Sequence, residues 1–129
     1  MSNKKILIVD DDQSCLKFYR IVCENAGFEV SGAYKKEQIV NEVKKEHDLM
    51  IIDLVLPGME TGDIIKSFNR HNKNSNIILV TGYPDMLSSV EYMMHSYIFD
   101  YLLKPVSAQK LSETLKEAFN CPPEKNEEG

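Results

Sequence analysis

Asp10-Asp11-Asp12, Asp53, Thr81 and Lys104-Pro105 each end an apolar run in this 129-residue chain. Their types suit one kind of chemistry. Carboxylates brought within a few ångströms repel one another, and some must take up a proton or a cation. Oxygen ligands at that density suit a hard divalent ion, Mg²⁺ above all, which keeps several of its waters. Bound Mg²⁺ invites a phosphoryl group. Lys104 adds a second positive charge for its oxygens, and Thr81 a hydroxyl. Phosphoryl transfer asks little more of a protein than positioning and charge neutralisation. Asp53 is the most central carboxylate, and as nucleophile it would become an aspartyl phosphate.

Strands and helices must carry these groups to one place. Lys5 to Val9, Phe28 to Ala33, Leu49 to Asp53, Asn76 to Thr81 and Phe99 to Leu103 read as strands. The first is nearly all apolar and β-branched, as a strand covered on both faces would be. Between them the apolar residues recur at helical spacing. The spacing predicts helices over Asp12 to Ala26, Lys36 to Glu46, a segment carrying Ile64, Ile65 and Phe68, Asp85 to His95, and a last one capped by Ser107. Gly27 is placed just past the end of the first helix. Alternating strands and helices mean an α/β fold: a five-stranded parallel sheet with five helices on both faces. Ligands of such sheets sit beyond the carboxyl ends of the strands. The chemical groups above fall at that edge, each from a separate run.

At about 150 residues per domain the chain makes one domain. Fifteen Lys plus Arg against 20 Asp plus Glu leave a net charge of −5, which argues against direct nucleic-acid binding. No apolar run approaches the roughly 20 residues of a membrane helix. The start, Met1 to Lys5, has no signal-peptide pattern. Cys15, Cys23 and Cys121 are scattered, without metal-ligand spacing, so a reducing cytoplasmic setting is expected. Cys15 and Cys23 read as small core residues.

Four segments carry a family resemblance: Ile6 to Asp12, Asp48 to Met59, Val80-Thr81-Gly82 and Asp100 to Pro105. In order and spacing the chain resembles a response-regulator receiver domain of two-component signalling over about residues 4 to 120. The resemblance implies a flavodoxin-like doubly wound sheet of strand order 2-1-3-4-5. Asp53 would be the phosphoacceptor, taking its phosphoryl group from the phosphohistidine of a histidine kinase or phosphotransfer protein. Asp10 and Asp11 would hold Mg²⁺ with Asp53 and the backbone carbonyl of Val55. Thr81 would be the switch hydroxyl, Tyr101 the aromatic switch, and Lys104 the partner of a phosphoryl oxygen. Pro105 would hold the turn as a cis peptide. Such a domain is not an enzyme in the ordinary sense; it would catalyse its own phosphorylation and dephosphorylation. Its output face would be the fourth helix, fifth strand and fifth helix, and a homodimer is compatible with it.

The chain departs from the family pattern at Tyr97-Ile98, where a Gly-Ala pair is common, and in the bulky stretch Thr81 to Asp85, where Tyr83 would stand near the site. An aspartyl-phosphate phosphatase would want a second aspartate where Val55 stands. A nucleotide or flavin module would want a glycine- or hydroxyl-rich loop where Asp10-Asp11-Asp12 stands. A degenerate receiver acting by contacts alone is the other alternative. Asp12 reads as a helix-start residue rather than a ligand. Met86, Leu87, Val90, Met93, Met94 and Tyr97 form one helical stripe read as core, and His47, His71 and His95 carry no assigned role. Residues 1–121 form the expected domain. Residues 122–129 read as a flexible acidic tail or the start of a linker, leaving a stand-alone receiver or a piece of a larger regulator or hybrid kinase.

Overall fold

A computed structural model describes residues 3–87 and 96–120. Its strands are β1 (Lys5–Val9), β2 (Glu29–Ala33), β3 (Leu49–Asp53), β4 (Asn76–Thr81) and β5 (Asp100–Leu103). They form one parallel sheet in the order β2-β1-β3-β4-β5. The crossovers carry α1 (Gln13–Asn25), α2 (Lys36–Glu42) and α3 (Thr61–His71), and α4 (Ala108–Asn120) follows β5. Four α-helices therefore stand among the described residues, against five expected. The expected helix over Asp85 to His95 falls mostly outside them, and its described start is a 3-10 turn at Pro84–Met86.

Alternation along the strands sorts the core into two layers. Leu7, Val9, Met50, Ile52, Ile77 and Leu79 face α2 and α3, meeting Ile39, Val43, Ile65 and Phe68. Ile6, Ile8, Leu49, Ile51, Ile78 and Val80 face α1 and α4, meeting Tyr19, Cys23, Leu111 and Leu115. Every residue of β3 and β4 is buried, as expected for central strands covered on both faces. Each fully buried Leu, Ile or Phe contributes roughly 1.5–3 kcal/mol relative to exposure.

Local signals set the helix ends. The Asp12 side chain accepts the N–H groups of Ser14 and Cys15 and so caps α1. Gly27 takes a φ of 96° just after that helix, a conformation that strains other residues. Helix α2 stops at Glu42, four residues before its expected end. The cause is His47: its Nε2 lies 3.0 Å from the Glu42 carbonyl, which a continuing helix would have offered to residue 46. The Lys45 N–H takes the same carbonyl in a tighter turn. His47 is itself pinned: its N–H donates to Asn72 Oδ1 and its carbonyl accepts the Ser75 hydroxyl. The buried Cys23 is core as expected, while Cys15 is only half-buried, because it lies at the rim beside the Lys104–Pro105 turn. Met86 is exposed rather than core, since the 3-10 turn directs Leu87 inward in its place. Cys121, Val90, Met93, Met94 and His95 lie outside the described residues. No described helix is long and apolar enough to cross a membrane.

Candidate functional site

The carboxyl edge of the sheet collects the expected groups. Asp10 follows β1 and still donates its N–H to the Ala33 carbonyl of β2. Its side chain is buried, with Oδ1 accepting the Asp12 N–H at 2.9 Å. Asp53 ends β3, and its Oδ1 accepts the Val55 N–H at 3.1 Å. Lys104 follows β5 and reaches back over the edge, its Nζ 3.0 Å from Asp53 Oδ2 and 3.2 Å from Asp10 Oδ2. Its own N–H donates to the Thr81 carbonyl at 2.8 Å, which ties the lysine to the end of β4. The Lys104–Pro105 peptide is cis, as the resemblance implies.

Asp10, Asp11 and Asp53 each offer a carboxylate oxygen within 4.8 Å of the others. Two of them are buried and Asp11 is exposed. The set is all oxygen, which fits a hard divalent cation and not a thiolate- or imidazole-loving one. Burial pushes the Asp10 carboxyl up to about 6; the Asp12 N–H and Lys104 pull it down, and Asp53 pushes it further up. Burial also works against the Lys104 ammonium. The hydrogen bond to Asp53 and the pull of both carboxylates outweigh it and hold that ammonium charged beyond the ordinary lysine range. The Ser14 N–H holds the Asp12 carboxyl below its usual value, consistent with a cap and not a ligand.

Thr81 is fully buried at the end of β4, and its Oγ1 accepts the Tyr83 N–H at 2.9 Å. A hydroxyl that accepts there still has its proton to donate. Tyr101, opposite Leu79 in β5, is half-buried against the core beneath α2 and α3. The Val55 side chain packs on that same core, so only its backbone faces the loop chemistry. Tyr83 is 60% exposed beside the site. Thr61 belongs with these residues although its position gives little sign of it: its hydroxyl donates to the Leu54 carbonyl in the loop after Asp53. A threonine at a helix start reads as a cap.

A doubly wound parallel sheet bearing an acidic triad and a lysine at its carboxyl edge defines a CheY-like signalling fold. The chain belongs to the response regulator receiver domain family, whose sequence pattern matches residues 6–116. It is 28% identical over 123 residues to the response regulator ArlR of Staphylococcus saprophyticus, covering 95% of this chain and 55% of ArlR. It is 27% identical over 117 residues to sporulation initiation phosphotransferase F of Bacillus subtilis, covering 90% of this chain and 94% of that protein. A CheY-like receiver domain from Methanospirillum hungatei superposes with a TM-score of 0.82 at 31% identity, over 92% of this chain and 95% of that one. The chain spans about half or less of the length of ArlR and of the other transcriptional regulators it matches.

Proposed function

We propose that Asp53 accepts a phosphoryl group from the phosphohistidine of a histidine kinase or phosphotransfer protein. The observation that carries this reading is Lys104 Nζ, 3.0 Å from Asp53 Oδ2, beside the carboxylates of Asp10 and Asp11. An Asp53 oxygen attacks phosphorus and forms the new O–P bond. The P–N bond to the donor breaks, and its electron pair stays on the imidazole nitrogen. Lys104 offers its ammonium to a phosphoryl oxygen, and Thr81 offers its hydroxyl to another. Asp10, Asp11, Asp53 and the Val55 carbonyl would hold Mg²⁺, which supplies positive charge to the phosphoryl oxygens as charge builds on them.

The phosphoryl oxygens bind Thr81 and Lys104 best in one arrangement of the edge, so phosphorylation biases an existing equilibrium. Tyr101 turns inward as Thr81 moves. Water then removes the phosphoryl group. Residues 1–121 make the switching unit in this reading, and 122–129 a tail or linker start. The face formed by the segment before β5, β5 itself and α4 passes the state to an output partner or a second copy in the cytoplasm.

The test is intact mass after incubation with Mg²⁺ and a small phosphodonor, beside Asp53→Asn. One added phosphoryl group on the unmodified chain, absent from the variant and with chelator, is expected. Absence of the adduct, and of any response to a beryllofluoride mimic, would leave a receiver that acts by contacts alone.

A further inference from the structure

Two hydrogen bonds meet on one peptide unit beside Asp53. The Thr61 hydroxyl donates to the Leu54 carbonyl at 2.5 Å. The Val55 N–H donates to Asp53 Oδ1 at 3.1 Å. That carbonyl and that N–H belong to the same peptide, which is planar and trans, so fixing one end aims the other. The preceding peptide is fixed separately, because the Leu54 N–H donates to the Val80 carbonyl at 2.8 Å and extends the pairing of β3 with β4 by one step. Where the sheet's hold ends, Thr61 takes over.

We propose that Thr61 is a positioning residue for the phosphoacceptor, an inference that rests on the role given above to Asp53. Its hydroxyl holds the Leu54–Val55 peptide so that the Val55 N–H occupies Asp53 Oδ1. The other oxygen, Oδ2, is then left toward Lys104. Without that tie the carboxylate could rotate about its last bond and exchange its oxygens between the two partners.

Capping does not account for this hydroxyl. The N-cap of α3 is Glu60, and Thr61 is the first residue inside the helix. A capping side chain accepts from the helix's free N–H groups; this one donates, and to a carbonyl outside the helix. Both partners are buried, Thr61 at 7% and Leu54 at 6% exposure. Water therefore has little access with which to replace the bond.

The test compares Thr61→Val, which keeps the shape and removes the hydroxyl, with Thr61→Ser, which keeps the hydroxyl. Two quantities are read on the full chain: the amide resonance of Val55, and the rate of Asp53 phosphorylation by a small phosphodonor with Mg²⁺ at varied donor concentration. Thr61→Val should shift the Val55 amide toward its position in Asp53→Asn. It should also lower the maximal rate by about tenfold, with the donor concentration for half-maximal rate little changed, because misplacing a reacting group acts on the rate more than on encounter. Thr61→Ser should restore both. An unshifted amide and an unchanged rate in Thr61→Val would overturn the proposal, and so would an equal loss in Thr61→Ser, which would assign the effect to the methyl group. If Thr61→Val does not fold, Thr61→Ala, which also removes the hydroxyl, takes its place in both readings. A chain that takes no phosphoryl group and gives no response to the beryllofluoride mimic refutes the role of Asp53, while the Val55 amide still tests how its carboxylate is held.

Discussion

Lys104 and Asp53, 51 residues apart in the chain, meet at 3.0 Å. The same ammonium lies 3.2 Å from Asp10, so one positive charge stands between two buried carboxylates. Lys104→Met keeps the stem and removes the charge, leaving the carboxylates to face each other. Urea unfolding at neutral pH without divalent cations should show a loss of about 1–3 kcal/mol, the range for leaving a buried polar group without its partner. Calorimetry should show tighter Mg²⁺ binding in the same variant, because the competing cation is gone. An unchanged unfolding midpoint would show that the pair is spent against its own desolvation.

Asp10 sets a pH dependence. Its carboxyl is raised from 3.8 to about 6 by burial, so between those values the folded chain holds a proton that the unfolded chain has released. This contribution to stability is full below 3.8 and is lost as pH rises through 6. Mg²⁺ must displace that proton, so its affinity should weaken as pH falls through 6. Asp10→Asn should flatten this part of the stability curve, stabilise the metal-free chain at neutral pH and abolish tight Mg²⁺ binding. Titration calorimetry at several pH values reads the metal; thermal unfolding reads the rest.

His47 works with the opposite sign. Burial lowers its pKa below 6.5, its Nε2 faces the Glu42 carbonyl, and its buried Nδ1 has no hydrogen-bond partner among the described residues. Protonation would place a second N–H where nothing accepts it. The unfolded chain therefore binds the extra proton first. The stability from neutral His47 is full above 6.5 and is lost as pH falls through the lowered value. His47→Gln should remove that loss below pH 6.5 while leaving the Asp10 contribution in place. Urea midpoints across the range, measured on both variants, separate the two. An acid limb that persists in His47→Gln would assign it elsewhere.

An apolar groove of about 540 Å³, lined by Cys15, Phe18, Tyr19, Pro105 and Val106, opens beside Lys104. Phe18 and Ile21 are exposed on α1 at its rim and flank. The groove reaches Lys104, so a protein donor seated on it would stand next to the phosphoacceptor edge, whereas a small donor need not touch it. Phe18→Glu should slow transfer from a phosphohistidine protein by about tenfold, the scale of one buried interface contact. Phosphorylation by a small phosphodonor should stay unchanged. Equal slowing with both donors would point to damage at the site instead.

How far the sequence shows all this depends on where each signal comes from. Strands β3 and β4 have the bounds expected from their apolar runs, because a run buried on both faces has no competing reading of that length. Asp10, Asp53 and Lys104 follow, since each sits where a strand ends and the strand order brings those ends together. Asp12 follows too, read as a helix-start residue and found capping α1. Helix α2 does not, because its end is set by the His47 ring, whose place depends on Asn72 and Ser75 in a later segment. Thr61 escapes for a related reason. Its type and place suggest a cap, and only the folded loop shows that its hydroxyl turns the other way. Met86 shows the limit of periodicity: at a 3-10 turn the 3.6-residue stripe no longer says which side faces inward.

The strand order has a consequence for synthesis. Asp10 and Asp53 both precede residue 54, but their ammonium partner is Lys104, which comes after β4 and β5 in the chain. Another 51 residues must therefore be added after Asp53 before its ammonium partner exists. The charge pairing at the sheet edge would therefore form only as β5 docks, late in synthesis, whatever the state of the strands before it.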